Sequence, residues 1–305
     1  MCMKPIKELT NFLVCPETLD PLYVVETNKL ATRYGREFII LNNVPILRDG
    51  NPPNSIDINH SSNSVPSEIW QWMISQPGRV LFLGAGATNF RADNVFEVEY
   101  NIFRNTDIVV DAHKLPIRSE SFQAVVALNV FEHLYNPELA AEEIRRVLVP
   151  GGEVLIHTAF LQPLHEEPHH YFNATEFGVK RWFRNFSNIN VTVSSNFNPC
   201  YTLSWYVNDL LQYVKLILGN EERDKIANLT LEELASLWSQ GNCGDSELFK
   251  ILQLLPHEVQ SRFAAGFQLS AVKESSPADK QISLKQRQQK LLINQAQWEK
   301  NYLNI

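Results

Sequence analysis

The chain has 305 residues, of which 44% are hydrophobic and 20% charged, a balance typical of a globular protein with a sizeable core. Its formal net charge of −7 comes from 34 acidic and 27 basic residues, so the composition gives no support to a general phosphate-backbone binder, although it leaves room for a local basic patch. We therefore expect no nucleic-acid partner.

The cysteines and the apolar runs indicate a cytoplasmic protein. The four cysteines lie far apart and form no Cys-x-x-Cys pair, so neither a disulfide framework nor a four-cysteine zinc site is predicted. The N-terminus leads into no long apolar run, which argues against a secretory signal. Residues 203–218 are the longest apolar candidate, but they carry several polar side chains and predict an amphipathic helix rather than a membrane span.

Residues 1–50 predict a small β-rich module. Short β-prone runs lie at 12–16, 22–25, 37–41 and 44–47, and Asn42-Asn43 is a plausible hairpin turn. Residues 51–66 are rich in proline, asparagine and serine and predict a linker. A short helix at 67–73 follows, and we expect it to lie against the next sheet.

The central part of the chain predicts a parallel sheet. Apolar runs predict five strands, at 80–83, 95–100, 108–112, 122–128 and 153–158. A helix at 137–148 begins with proline, carries acids early and arginines late, and ends at Pro150-Gly151-Gly152. A strand, a helix and a strand at this spacing form a βαβ unit, so we predict an α/β fold.

The first connections of this sheet are unusually short. Only residues 87–98 separate Gly86 from Glu99, and only residues 100–110 separate Glu99 from Asp111. A parallel crossover normally needs about a dozen residues or more and usually contains a helix. We expect the early helices to be reduced to loops or single turns, with the N-terminal module or a second subunit covering the exposed sheet face.

The remaining residues predict a helix-rich C-terminal half. We predict a helix at 175–183, a sixth strand at 188–194, helices over 202–262 and a last strand at 264–272. The domain would then span residues 67–275, with 202–262 as a helical insertion. Residues 276–305 predict a C-terminal amphipathic helix, which packs on the domain or provides a homodimer contact.

Polar residues and glycines mark the carboxyl ends of the predicted strands. Gly84 and Gly86 end the first strand, Glu99 the second, Asp111 the third and Asn129 the fourth. In an open parallel sheet these ends line one crevice, where ligands bind. Glycines let the backbone approach a ligand closely, and a carboxylate accepts hydrogen bonds from a ribose diol. This order of residues predicts an adenosyl site.

The successive motifs VLFLGAGATNF, VEY, DIVVDAHKLPI, SESFQAVVALNVFEHL and NPELAAEEIRRVLVPGGEVLI resemble those of class I S-adenosylmethionine-dependent methyltransferases of the type 11 kind. The resemblance covers roughly residues 79–186. It implies a doubly wound, mostly parallel seven-stranded Rossmann-like sheet and S-adenosylmethionine as the cofactor. It also assigns cofactor contacts: Gly84, Ala85 and Gly86 to the methionine moiety, Glu99 to the ribose, Tyr100, Asp111 and Ala112 to the adenine, and Asn129 and Val130 to the region under the sulfonium.

The N-terminal pattern around Cys15-Pro16 and Tyr34-Gly35 resembles the small zinc-ribbon-like domain of tRNA methyltransferase activators. That domain usually has two Cys-x-x-Cys knuckles, whereas only Cys15 remains here and Thr18 stands in its partner's place. One thiolate cannot hold a tetrahedral zinc ion, so we expect a degenerate, metal-free ribbon.

Two departures from the family pattern leave alternatives open. Phe82 replaces an acid that many members carry before the first glycine, and Thr88 stands where a third glycine is common. A non-catalytic cofactor-binding or scaffold protein on the same fold is therefore one alternative, although another group such as Glu132 could compensate for Phe82. A nicotinamide-dependent oxidoreductase is the other, but Asn89 interrupts its Gly-x-Gly-x-x-Gly fingerprint.

The segment 157–175 is rich in histidine and proline and predicts a lid over the acceptor side. Histidine supplies a base near neutral pKa for an oxygen acceptor, and His165 is the first candidate, before His170 and His133. His165, His169 and His170 with Glu166 and Glu167 are a possible metal set, but Pro168 breaks any helical face and we predict no metal site. The predicted reaction is methyl transfer to oxygen of a small-molecule, saccharide or lipid-linked acceptor.

Overall fold

The computed structural model of the chain describes residues 4–60, 62, 64–241 and 243–270. Its N-terminal part has a short helix, α1 (Ile6–Leu9), and an antiparallel four-stranded sheet in the order β1-β2-β3-β4. The strands are β1 (Tyr23–Glu26), β2 (Lys29–Ala31), β3 (Glu37–Leu41) and β4 (Val44–Pro45). Asn42 and Asn43 both have left-handed φ values, 49° and 66°, which confirms the predicted hairpin turn.

A parallel five-stranded sheet forms the centre of the fold. Its order is β7-β6-β5-β8-β9, and the strands are β5 (Val80–Leu83), β6 (Val95–Glu99), β7 (Ile108–Val109), β8 (Phe122–Leu128) and β9 (Leu148–His157). The α/β class and the five central strands are confirmed. The strand order reverses between β5 and β8, so the connections that leave the carboxyl ends of these two neighbouring strands run in opposite directions. Ligands bind at such a topological switch point in open parallel sheets.

The two faces of this sheet are covered in different ways. Residues 84–94 and 100–107, all of which the structure describes, contain no helix, as the short connections predict. On one face, helix α2 (Ser67–Ser75) buries Ile69 and Met73 against Phe82 and its neighbours. On the other face, the N-terminal module buries its apolar side chains against the sheet, which confirms the predicted shielding.

Helix α3 (Pro137–Val147) connects β8 to β9. The side chain of Asn136 accepts a hydrogen bond from the backbone N–H of Leu139 and so caps the first turn. Strand β9 starts at Leu148, earlier than predicted, and its pairing with β8 shifts register between Phe122 and Ala124. Pro150-Gly151-Gly152 therefore lies inside the strand bounds, where the irregular pairing tolerates residues that usually end a strand.

The C-terminal half is mainly helical. Its helices are α4 (Glu176–Trp182), α5 (Pro199–Ile217), α6 (Asn220–Ala227), α7 (Leu231–Ser239), α8 (Glu247–Gln253) and α9 (His257–Phe263). Within the described ranges, none of the helices is long and apolar enough to cross a membrane. Residues 4–263 belong to one compact unit, and the described residues 264–270 of a second unit have no helix or strand.

The predicted seven-stranded sheet is wrong for the described part of the chain. Residues 188–194 have no regular structure, and the side chains of Ile189 and Val193 are exposed. No strand forms at 264–270, and the last two residues of the predicted strand lie outside the described residues. The predicted C-terminal helix at 276–305 also lies outside them.

Candidate functional site

The loop after β5 is built around two glycines in left-handed conformations. Gly84 has a φ of 66° and Gly86 a φ of 67°. A Cβ atom at Gly84 would overlap the side chain of Val130, and one at Gly86 would overlap Ser62 Oγ. Both positions thus require glycine. Ala85, between them, turns its side chain into the apolar cluster that α2 covers.

Glu99, at the end of β6, faces this loop. Its carboxylate accepts a hydrogen bond from the backbone N–H of Gly86, and only 8% of the residue is exposed. Burial raises the pKa of Glu99 to about 7, although the bond from Gly86 opposes that shift. The neighbouring Tyr100 ring is exposed, and the Arg48 guanidinium lies 3.9 Å from its centroid.

A network of buried polar side chains connects the same loop to β6 and to the residue before β7. Thr88 Oγ1 donates to Glu97 Oε2 at 2.7 Å, and Arg91 binds Asp107 through contacts of 2.6 and 2.9 Å. Glu97 is 1% exposed, and burial raises its pKa to about 8. The sequence offered no sign of this network beyond the residue types, because its members come from the loop after β5, from strand β6 and from the loop before β7. Thr88, where a third glycine is common, acts here as a donor.

Asp111 lies at the end of β7 and is bound by His113. The His113 Nδ1–H and backbone N–H donate to Asp111 Oδ1 at 2.6 and 2.9 Å. Burial acts to raise the pKa of Asp111, but the His113 bonds outweigh it and hold the pKa below its usual value. The His113 ring stacks on Tyr135 at 3.8 Å, while Ala112 is buried beside it. His113 and Tyr135 were not predicted as site residues.

Asn129 ends β8 in a left-handed conformation, with a φ of 56°. Its backbone N–H donates to the carbonyl of His157 at 2.9 Å. Its side-chain Oδ1 is buried and has no hydrogen-bond partner within the part of the chain that the structure describes. A buried acceptor without a donor is costly, so this oxygen is available to a ligand. The next residue, Val130, covers Gly84.

The three histidines predicted as catalytic lie together. Ring centroids are 4.2 Å apart for His165 and His170, 5.1 Å for His133 and His165, and 5.7 Å for His133 and His170. Burial lowers the pKa of both His133 and His170. His170 Nδ1 accepts the backbone N–H of His165, and its Nε2 faces Asn173 Oδ1 at 3.1 Å. His170 is thereby engaged in holding the lid segment.

Glu132 directly precedes His133 in the chain, and it is fully buried. Its Oε2 accepts a hydrogen bond from Thr158 Oγ1 at 3.0 Å. Its Oε1 is buried without a partner among the described residues. Burial raises the pKa of Glu132 to about 7. The sequence named Glu132 only as a substitute for the acid that Phe82 replaces, and Phe82 itself is a core residue that is 1% exposed.

Helices of the C-terminal half border the lid segment. The Trp205 ring of α5 lies 5.6 Å from the His165 ring, and Arg262 of α9 forms an ion pair with Glu167 at 2.9 Å. The backbone N–H of Leu164 also donates to the carbonyl of Arg262. The helices therefore form one wall of the cleft on the acceptor side.

Comparisons with known proteins match the central part of this site. Residues 87–156 match the family described as methyltransferase domain. That segment carries Glu99, Asp111 and Asn129. The match supports methyl transfer as the general activity of the protein. A comparison with curated proteins found no match.

Solved structures give only partial likenesses. The [4+2]-cyclase SpnF is 19% identical with a TM-score of 0.33, over 39% of this chain and 54% of SpnF. Phosphoethanolamine N-methyltransferase 2 of Haemonchus contortus, solved with S-adenosyl-L-methionine, is 15% identical with a TM-score of 0.34, over 57% of this chain and 46% of the enzyme. The chain thus matches about half the length of each, and scores this low describe no correspondence between whole chains.

Proposed function

We propose that the protein is an S-adenosylmethionine-dependent methyltransferase that acts on a hydroxyl group of a small-molecule, saccharide or lipid-linked acceptor. The methyltransferase-domain match at 87–156 supports the general reaction. The parallel sheet supports the cofactor, because its order reverses where Gly84, Glu99 and Asn129 meet the crevice. The finer assignment of cofactor and acceptor rests on the chemistry of these side chains.

The observation that carries the proposal is a buried oxygen without a donor. Asn129 Oδ1 follows β8 and has no hydrogen-bond partner among the described residues. A buried acceptor of this kind favours a ligand that brings donors or positive charge. S-adenosylmethionine, when bound, supplies a methyl group on a positively charged sulfur and also carries an ammonium group. The Asn129 oxygen therefore suits this cofactor.

Glu99 would hold the ribose. An ionised carboxylate only accepts hydrogen bonds, and its several lone pairs allow it to serve the Gly86 N–H and a ribose hydroxyl together. Its buried position strengthens such bonds, because the surroundings have a low dielectric constant. Asp111 is fixed by His113 and lies at the neighbouring strand end, where it would face the adenine.

The acceptor side would use His133 and the histidines of the lid segment. His133 and His165 meet at the end of the crevice, and burial keeps His133 neutral near pH 7. Methyl transfer requires alignment of the nucleophile and exclusion of water more than acid catalysis. The wall formed by α5 and α9 borders the lid segment on this side. His170 would position His165 rather than contact the acceptor.

Isothermal titration with S-adenosylhomocysteine tests the proposal. We expect wild-type protein to bind the ligand and Glu99→Gln to bind it about tenfold or more weakly, since the amide loses a charge-assisted bond. Glu26→Gln, an exposed change on β1, is the matched control and should leave the affinity unchanged. Absence of binding to the wild-type chain would contradict the proposal.

A non-catalytic binding or scaffold protein is the second candidate. Ser62 Oγ accepts a hydrogen bond from the backbone N–H of Ala87 at 2.9 Å and lies against Gly86, so the linker covers the glycine loop. Ser62→Gly would uncover the loop. If this variant binds S-adenosylhomocysteine and the wild-type chain does not, the non-catalytic candidate is favoured. An oxidoreductase is disfavoured, because residues 84–94 offer no helix N-terminus to a pyrophosphate.

A further inference from the structure

Three side chains at the acceptor end of the crevice converge on one point. Glu132 and His133 lie on a single 3₁₀ turn after β8, and His165 comes from the lid segment. Each offers one ligand atom, and these three atoms lie within 4.8 Å of one another. The cluster differs from the set considered from sequence, because neither His169 nor a lid acid belongs to it.

Glu132 has one oxygen that the protein leaves free. The side chain is fully buried, Oε2 is bound to Thr158, and Oε1 has no partner in the described residues. A buried carboxylate oxygen without a donor or a cation is strongly disfavoured. The free oxygen is therefore available to coordinate a ligand. This observation does not depend on the clustering of the histidines.

The two histidines both direct Nδ1 to a backbone carbonyl, which leaves Nε2 as the ring nitrogen for a metal. His133 Nδ1 lies 3.1 Å from the carbonyl of His169, and His165 Nδ1 lies 2.9 Å from the carbonyl of Pro163. A carbonyl oxygen only accepts, so each Nδ1 carries a proton and Nε2 is the ring nitrogen that a metal would bind. Histidines that bind metals almost always donate their other ring N–H to a backbone carbonyl or a carboxylate in this way.

We propose that Glu132, His133 and His165 bind a divalent first-row transition-metal ion. Two imidazoles and one carboxylate form a ligand set that binds such ions while leaving coordination positions open. The ion would be the positively charged partner that Glu132 Oε1 lacks among the described residues. The sequence predicted no metal site, because the ligands come from two segments that only the fold brings together.

The open positions would bind the hydroxyl oxygen of the methyl acceptor, a role that rests on the proposed function. The cluster follows Asn129 along the chain, at the end of the crevice assigned to the sulfonium. A metal ion greatly lowers the pKa of a bound hydroxyl group, so the acceptor would release its proton to solvent water and keep its oxygen on the ion. The ion is neither oxidised nor reduced in this role.

The test is Co²⁺ binding to the full chain without a polyhistidine tag and after dialysis against a chelator. We expect about one Co²⁺ per chain, seen by titration calorimetry and by visible absorption of the bound ion. Glu132→Gln and His165→Ala should each weaken binding about tenfold or more. His169→Ala changes an exposed histidine of the same segment outside the cluster and should leave binding unchanged.

Thermal unfolding is measured for each variant to check that it is folded. If Glu132→Gln or His165→Ala is not folded, His133→Ala is used in its place. No Co²⁺ binding to the wild-type chain, or equal binding by wild type, Glu132→Gln and His165→Ala, would overturn the proposal. Since the titration contains no cofactor, its outcome is separate from that with S-adenosylhomocysteine. A chain that binds S-adenosylhomocysteine but not Co²⁺ would refute the metal site and leave the proposed function standing.

Discussion

Two acids on β6 show how single residues build the glycine loop without a crossover helix. Glu97 and Glu99 are two positions apart, so their side chains leave the same face of the strand. Glu97 accepts from Thr88, and Glu99 accepts from Gly86. Burial raises the pKa of both carboxyl groups. Together they fasten the loop to the sheet at two points.

The buried Glu97 carboxyl predicts that the protein becomes less stable as pH rises. Its pKa is about 8 in the folded state, against 4.5 ordinarily, so between these values the folded chain holds a proton that the unfolded chain has lost. The free energy of unfolding should therefore fall by up to about 1.4 kcal/mol per pH unit from this group. Glu97→Gln should remove that part of the slope, as measured by urea unfolding across this range.

Glu26→Gln serves as the control, because Glu26 is an exposed residue of β1. It should keep the slope of the wild-type protein. An equally steep slope in Glu97→Gln would mean that Glu97 is ionised in the folded protein at neutral pH.

Asn129 offers a test of where the cofactor's charge lies. Aspartate tolerates the left-handed conformation almost as well as asparagine, so Asn129→Asp adds a charge without new backbone strain. S-adenosylmethionine carries a positive sulfonium that S-adenosylhomocysteine lacks. We expect the variant to shift the ratio of the two affinities toward S-adenosylmethionine by roughly tenfold, measured by calorimetry.

The exposed Asn228, at the end of α6, is the matched control, and Asn228→Asp should leave the ratio unchanged. The same ratio in wild type and Asn129→Asp would place the sulfonium away from Asn129.

At the residue scale, the sequence predicted features that depend on local chain geometry. Gly84, Gly86 and Glu99 were predicted because glycines and acids at strand ends mark a crevice in any parallel sheet. The free oxygen of Glu132 was not predicted, because its burial depends on segments far away in sequence. For the same reason, the contact between Ser62 and Gly86 could not be foreseen.

At the scale of elements, the N-terminal module takes the place of crossover helices. Phe12 is 1% exposed and packs edge-on against Phe96 of β6 and Phe122 of β8, with centroids 5.2 and 5.1 Å apart. The short connections made this covering predictable, since a parallel sheet must be buried on both faces. The strand predicted at 188–194 was wrong. Its alternating pattern fits a strand, but a strand also needs a neighbouring strand with which to pair, and alternation alone does not provide one.

The module should therefore be part of the stabilising core. Phe12→Ala should lower the free energy of unfolding by about 3–5 kcal/mol, because it removes a buried aromatic ring between two others. Urea unfolding measures the change. Tyr34→Ala, at a ring that is 74% exposed in the same module, is the control and should cost far less.

A loss of less than about 1 kcal/mol for Phe12→Ala would show that the module contributes little to the sheet.

At the scale of the whole molecule, the crevice predicts selectivity between nucleotide cofactors. The glycine loop leads into no helix over the described residues 84–94, so this loop lacks the usual binding place for a pyrophosphate. S-adenosylhomocysteine at about 100 times its dissociation constant should stabilise the folded chain by about 2.7 kcal/mol and raise the melting temperature. NADH at the same concentration should leave it unchanged, and a larger rise with NADH would favour the oxidoreductase alternative.

The most direct test of the adenosyl site is a crystal structure of the full chain with S-adenosylhomocysteine. We predict density in the crevice at the ends of β5, β6 and β8, with the ribose hydroxyls on Glu99 and the sulfur facing Asn129. Density for the ligand elsewhere, or an empty crevice at saturating ligand, would contradict the account.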